Sequence, residues 1–515
     1  MKRVVIIGSG MGGLSCGVVL SKNGYEVTVL EQGRQIGGCL QCFSRGGARF
    51  ETGMHFIGSA GKGETLERLL RYLEVRKDIR LSELDRDGYD VVCLEGKRYR
   101  FANGRDAFIR QMTDYFPHQH EELKKYFDLI EKVACASRLH SLEEVGGDDA
   151  VNTEYQLRSI NEVVEGVITD PLLAKVLVGR LPLYAAERGK TPFATHAFIT
   201  DFYNQSAYRI VGGSDKIAQS MKHTIEKYGG RVLPCHRATR IVCDENHAIG
   251  VEVEHSVRPR IERIKPMGDA EDREFFPCDY VISDAHPMRT LELTDSKLLR
   301  PAFRSRINSI PQTVGGFSVY LEFKDDTVPY QNYNFYGYDS GTPWDCEKYD
   351  EQTWPKGYLY MHFCQEEKPR YAKTGVILSY MQMSDVAPWS GTKTGHRGAD
   401  YEAFKQRKAE KLIDVVERDF PGFRDSIKHY YTSTPLTYYD YTGTEGGSMY
   451  GIARDIHLGA ACRVPQRTKI PNVFQTGQNI NSHGILGVTV GTIVTCSELL
   501  TVERIYQQIV ESERI

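Results

Sequence analysis

MKRVVIIGSGMGGLSCGVVLSKNGYEVTVLEQ, residues 1–32, reads as an apolar strand, a glycine turn, a helix and a second strand that ends on an acid. Val4 to Ile7 form a β-branched run, and Gly8, Gly10 and Gly13 then fill the three positions of a G-x-G-x-x-G fingerprint. Each glycine has a job. The first allows the tight turn, the second lets backbone approach a pyrophosphate, and the third lets the helix lie close on the strand. The helix start offers free N–H groups and the positive end of its dipole to phosphate. Glu31 stands 18 residues beyond Gly13 (31 − 13), at the tip of the next strand, where a carboxylate accepts hydrogen bonds from an adenosine ribose. The stretch therefore predicts a site for a dinucleotide with an unphosphorylated adenosine ribose, which is FAD or NAD.

Working outward, 515 residues at 41% hydrophobic and 26% charged content suffice for more than one substantial core. Lys plus Arg (65) nearly balance Asp plus Glu (68), for a net charge of −3, so no nucleic-acid surface is indicated. The basic cluster Arg258, Arg260, Arg263 and Lys265 reads as a solvated loop face rather than a lipid-headgroup patch. The fingerprint strand begins at once, without the apolar region of a secretory signal, and the expected location is the cytoplasm. The most apolar stretch, Ile485 to Leu500, carries Gly, Thr, Ser and Glu, so any membrane contact is expected to be peripheral.

Residues 1–105 read as the nucleotide unit, including a hairpin around Glu95-Gly96. Leu123, Phe127, Ile130 and Ala134 then repeat at helical spacing, predicting a helical cap that continues past Asn161 toward Tyr184. From Tyr208 come a glycine turn, an amphipathic helix, a Gly-Gly stop and two or three strands; FFPCDYVISDAH (275–286) adds one strand more. Residues 300–450 are rich in aromatics, in PYQNYNFYGY, TWPKGYLYMHF and TYYDYTGT, which suits sheet packing around a pocket for a large apolar ligand. The chain closes with a short strand, VFQTG, and a helix, GILGVTVGTIVTCSELL.

Three rival motifs carry less weight. Cys39 and Cys42 form C-L-Q-C, which can be a redox dithiol or half a zinc site, but no second C-x-x-C or close His pair completes a metal site. Gly13-Leu14-Ser15-Cys16-Gly17 matches G-x-S-x-G, yet the turn lies at Gly8 to Gly10, placing Ser15 inside the helix. Gly61-Lys62-Gly63 lacks the rest of a phosphate loop. No metal is expected.

Gly477-Gln478-Asn479 after a strand, with Gly484-Ile485-Leu486-Gly487 opening a helix, resembles the closing segment of the flavoprotein superfamily that contains amine oxidases and phytoene desaturases. The fold implied is α/β: a Rossmann-like, glutathione-reductase-like FAD-binding domain split in sequence (1–105, 205–298 and 455–515), with an α+β substrate domain inserted (106–204 and 299–454). The resemblance places Gln478 by the ribityl or pyrophosphate part of FAD, and the N–H groups of Ile485 and Leu486 at the flavin N1 and C2 carbonyl. A helix start there stabilises the negative charge of reduced flavin. Gly37-Gly38 resembles the second glycine pair of these proteins, and Ala238 the position whose backbone pairs with adenine.

IGGCLQCFSRGGARFETGMHFIG (36–58) is similar to the region of retinol saturase and carotenoid isomerase with an aromatic-acid-x-Gly-x-His segment, here with Glu51 in place of Asp. STPLTYYDYTGTEGGSMYGI (433–452) is similar to the family segment bearing Pro-Leu-Thr and Gly-x-x-Tyr-Gly. The resemblance implies an FAD-dependent oxidoreductase that saturates, desaturates or isomerises the double bonds of a long apolar polyene. His55 and His483 are the candidate proton carriers near the isoalloxazine. With no second G-x-G-x-x-G, NAD(P)H can serve only as a transient electron donor through the substrate channel. The alternatives are a flavin amine oxidase, with the tyrosines as an aromatic cage, and a non-catalytic flavin-bearing lipid carrier.

Overall fold

Five parallel strands from distant parts of the chain meet beside the glycine turn in the computed structural model, which describes residues 1–142, 147–255 and 273–514. They are β1 (Arg3–Ile7), β2 (Glu26–Leu30), β3 (Arg231–Leu233), β4 (Tyr280–Ser283) and β5 (Val473–Gln475), in the order β3-β2-β1-β4-β5. The register runs Val4 opposite Val27 on one side and opposite Tyr280 on the other. Inner strands of a parallel sheet are covered on both faces, and the near-continuous apolar runs of β1 and β2 are the sequence form of that burial. Helix α1 (Met11–Lys22) is buried along all but its last residue and packs between α2 (Asp215–Lys227) and α3 (Gly484–Cys496). A Cβ on Gly17 would come 2.7 Å from Ile225 Cδ1 of α2. Ile485 to Cys496 are thus core rather than membrane-facing, and among the described residues no helix is long and apolar enough to cross a membrane.

The aromatic middle of the chain builds a seven-stranded sheet in the order 427–433, 315–323, 374–381, 357–362, 334–338, 90–94 and 97–101. Its neighbours are antiparallel except 334–338 with 90–94. Side chains alternate strictly between two cores. Phe317, Val319, Leu321 and Phe335 face the helix Ala399–Asp419, whereas Tyr320, Tyr336, Leu359, Met361 and Leu378 face the cap helices Arg105–Tyr115, His120–Cys135 and Phe193–Gln205.

Several expectations need revision. The hairpin at 90–101 does not belong with the nucleotide unit of 1–105; it extends the seven-stranded sheet, where Asn334 Nδ2 donates to Asp90 Oδ1 at 2.8 Å. Its fully buried DVVCL strand needs a layer on each face, and that sheet supplies both. Residues 275–286 are two strands, Arg273–Pro277 on a three-stranded sheet and β4 on the five-stranded one. The cap stretch is broken into helices at Ile160–Val167 and Pro171–Leu177, since Asp170 caps the second and Pro171 starts it, and Phe193–Gln205 is a further helix. TYYDYTGT is mostly helix, Pro435–Thr442, opened by Pro435 and a capping box at Thr434. The basic cluster from Arg258 to Lys265 lies outside the described residues.

Candidate active site

A cavity of about 970 Å³ runs from the glycine turn to the cap-facing side of the seven-stranded sheet. Gly8, Gly10, Glu31, Gly37, Gly38, Ala238, Gly477, Gln478, Ile485 and Leu486 all line it, as do His55 and His483; Gly13 is not among the lining residues and sits against the Gly8 carbonyl. The opposite reach is apolar, with Leu359, Met361, Leu378 and Met449 beside Tyr438 and Tyr450. One continuous space therefore joins a polar glycine cradle to a greasy wall.

The cradle is built by close approach. A Cβ on Gly13 would overlap the Gly8 carbonyl oxygen, and one on Gly12 would lie 2.8 Å from the Gly477 amide nitrogen. The third fingerprint glycine thus seats α1 on β1, while Gly12 lets the first and last segments of the chain touch. Glu31 is clamped over the turn: its Oε2 accepts from Ser9 N at 3.1 Å and Ser9 Oγ at 2.6 Å, and its Oε1 from Gly33 N at 2.6 Å. Gly37 N donates to the Ser9 carbonyl at 2.9 Å, which joins the second glycine pair to the first turn.

Asp284, which follows β4, is a cradle residue that local sequence reading misses. Its carboxyl is enclosed by the glycines: Oδ2 would be 2.5 Å from a Cβ on Gly10 and Oδ1 2.6 Å from one on Gly12. Burial and the nearby Glu31 push its pKa up to about 7, against the lowering effect of the Gly13 and Gly10 N–H groups. Arg454 is the second. Its guanidinium sits half-buried at the cavity wall with Nη2 on the carbonyls of Asn481 (2.9 Å) and Ile480 (3.2 Å), so it braces the loop between β5 and α3. Asp284 lies in the VISDAH segment and meets a turn more than 270 residues earlier, whereas Arg454 holds a loop 26 and 27 residues further on.

The two histidines differ. His483 caps α3, with its ring 4.8 Å from that of Tyr450 and an Nε2 that finds no hydrogen-bond partner among the described residues. Burial, then the Arg454 charge, lowers its pKa to about 4, so the ring is neutral at physiological pH. His55 instead places Nδ1 3.5 Å from Oε2 of the buried Glu51. Cys39 and Cys42 are free thiols, each pushed up to about 11 by burial, and a protonated thiol is a poor redox nucleophile. Ser15 is buried inside α1 with its hydroxyl on Met221 Sδ, which removes a nucleophile elbow. One grouping that spacing alone does not reveal is His236, His255 and Glu274, on adjacent strands of the three-stranded sheet.

Comparison with known proteins places these features. Residues 6–73 match the model of a NAD(P)-binding Rossmann-like domain. The chain is 27% identical to all-trans-retinol 13,14-reductase of Rattus norvegicus, over 96% of this chain and 85% of that one. It is 24% identical to chloroplastic prolycopene isomerase 1 of an Oncidium hybrid cultivar, over 94% and 81%. Among solved structures, an oxidoreductase from Methanosarcina mazei superposes with a TM-score of 0.63 at 15% identity, covering 96% of this chain and all of that one (100%). Cyclohexylamine oxidase from Brevibacterium oxydans superposes with a TM-score of 0.58 at 15% identity, covering 99% of each. The structural neighbours share the Rossmann-containing mixed α/β fold.

Proposed function

We propose that this chain, which belongs to the family of retinol saturases and carotenoid isomerases, is an FAD-dependent oxidoreductase acting on carbon–carbon double bonds of a long apolar polyene. The observation that carries the reading is the single cavity that joins the glycine cradle to the apolar wall. At about 970 Å³ it lies at the top of the range for small-molecule sites, roughly 300–1,000 Å³, as a cofactor and substrate sharing one space require.

The residues fit the cofactor. Glu31 would take the adenosine ribose, Ala238 the adenine, and the α1 start with Gly10, Gly37 and Gly38 the pyrophosphate. Gln478 and the first N–H groups of α3, at Ile485 and Leu486, would hold the isoalloxazine side. When bound, FAD supplies reversible two-electron exchange with a substrate carbon. The protein orients the polyene along Leu359, Met361, Leu378 and Met449 and keeps water from the reacting carbons. NAD(P)H, if it serves, enters by the same cavity, because the sequence carries no second fingerprint.

An anaerobic spectrum of the purified protein tests this. A bound yellow chromophore that NAD(P)H or dithionite bleaches, and that all-trans-retinol or lycopene restores, is the expected result for a reductase; bleaching by the lipid alone marks a desaturase. Peroxide release from amines without polyene turnover would identify an amine oxidase, and lipid binding with no change in flavin colour a carrier.

A further inference from the structure

We propose that His55, held by the buried carboxylate of Glu51, is the group that exchanges a proton with the substrate double bond. This rests on the reading of the cavity as a flavin and polyene site. In the reducing direction the carbon–carbon π bond breaks. The hydride that one carbon gains, with its electron pair, would come from the reduced flavin, which is thereby oxidised; the neighbouring carbon takes the Nε2 proton of the His55 imidazolium, whose Nδ1–H stays toward Glu51, and solvent returns a proton to the neutral ring left behind. Desaturation runs the same transfers in reverse, with neutral His55 taking the proton, and isomerisation adds and then removes that proton with no net change of oxidation state.

Three observations carry the assignment. First, the His55 segment borders the cradle: Thr52 Oγ1 donates to the Gln41 carbonyl at 2.8 Å, a Cβ on Gly53 would be 3.1 Å from Cys39 Cβ, and Gly37 is bonded to Ser9 of the turn. Second, Glu51 is 5% exposed, takes the Ser214 N–H on Oε1 at 3.2 Å and turns Oε2 to His55 Nδ1. The carboxylate 3.5 Å from Nδ1 orients the ring, and His55 lines the cavity. A second cavity of about 10 Å³, lined by Glu51, His55, Tyr320 and His362 among others, lies beside the pair at the lower limit for one water.

Third, the other titratable groups among the tyrosines and thiols of the apolar reach are held uncharged. Burial raises Tyr203, Tyr438 and Tyr450 above the ordinary tyrosine value and Cys39 to about 11, and His483 is neutral. His140 also lines the cavity and pairs with Asp201 at 2.9 Å, but both stand on cap helices with Asn152 and Gln156, not on a segment bonded to the cradle.

The test uses the full chain. Flavin-loaded protein is reduced with dithionite without oxygen and mixed with all-trans-retinol or lycopene while flavin absorbance is followed. His55→Gln is expected to retain flavin and to slow reoxidation by about 100-fold or more, the usual worth of a positioned proton donor. Glu51→Gln should slow it by at least about tenfold, and Glu51→Asp should recover most of the rate. Independently of turnover, ¹⁵N NMR of the flavin-free chain should show a proton held on His55 Nδ1, lost in Glu51→Gln and kept in Glu51→Asp. Reoxidation of His55→Gln within about threefold of wild type, ring signals unmoved by Glu51→Gln, or loss of the reaction in His140→Gln instead would each overturn the proposal. Wild-type protein that binds no flavin, or that binds it and passes nothing to either polyene, would overturn the reading of the cavity, and the ring signals would still decide the Glu51–His55 pair.

Discussion

Asp284→Asn removes one titratable group and almost no volume where the first and last segments of the chain meet. The folded carboxyl has its pKa at about 7 through burial and the repulsion of Glu31, against an ordinary value of 3.8. That rise of about three units (7 − 3.8) corresponds to roughly 4 kcal/mol, as an order of magnitude. Its sign is fixed by which state holds the proton. Below about pH 4 the carboxyl is protonated in folded and unfolded chains alike, and the proton-linked stability is fully present. Between about pH 4 and 7 the unfolded chain releases its proton while the folded one keeps it, so stability falls as pH rises and the loss is complete above the folded value.

Asparagine has no such term. Urea unfolding of the flavin-free protein at pH 5, 6, 7 and 8 should therefore show Asp284→Asn gaining on wild type by about 2–3 kcal/mol across that range. Flavin should respond in the same sense. Pyrophosphate at the α1 start adds negative charge beside the carboxyl, so wild-type flavin affinity should weaken above pH 7 more steeply than that of the variant. Parallel stability curves for the two proteins from pH 5 to 8 would refute the buried-carboxyl argument, whatever flavin does.

Gly13→Ala forces a Cβ onto the Gly8 carbonyl and should cost at least about 2 kcal/mol in urea unfolding along with retained flavin, whereas Gly166→Ala, on a cap helix with nothing within 4 Å, should stabilise by about 0.5–1 kcal/mol. His196 bonds the hydroxyls of Tyr126 and Tyr184 at 2.7 Å each inside the cap, so His196→Phe should lose about 2–4 kcal/mol by leaving both buried hydroxyls unpaired, read as a lower urea midpoint. Arg454→Met frees the Ile480 and Asn481 carbonyls and should lower flavin occupancy, measured as the absorbance ratio at 450 and 280 nm, with the fold retained by circular dichroism. Leu378→Trp narrows the apolar reach and should raise the KM for a long polyene about tenfold or more while flavin content is unchanged.

What was legible in the sequence is what is local in the fold. The β1-α1-β2 unit shows itself because a β-branched run, three glycines and an acid at fixed spacing are each read within about thirty residues of one another, and the structure sets Ile7, Gly8, Gly10 and Glu31 in one cavity wall. The aromatic runs were legible as packing but not as sides of a sheet. Phe335 and Tyr336 are adjacent in sequence and face opposite cores, a distinction that appears only once the strand's partners at 357–362 and 90–94 are known. The same locality explains the hairpin at 90–101, whose turn reads correctly and whose sheet does not.

The residues the sequence concealed are those that act by long-range pairing. Asp284 matters because β4 carries it beneath a turn more than 270 residues earlier, and the glycines at positions 10, 12 and 477 then serve its carboxylate as well as any phosphate. This alters the meaning of the fingerprint. If the glycines only made room for a pyrophosphate, an alanine at Gly12 would weaken flavin and leave the flavin-free fold intact. Since a Cβ there would stand 2.6 Å from Asp284 Oδ1 and 2.8 Å from the Gly477 amide, Gly12→Ala should instead destabilise the flavin-free protein, and Asp284→Ala should restore part of that loss. A double-mutant cycle in which the two substitutions simply add would assign the cost of Gly12→Ala to the Gly477 backbone and not to Asp284.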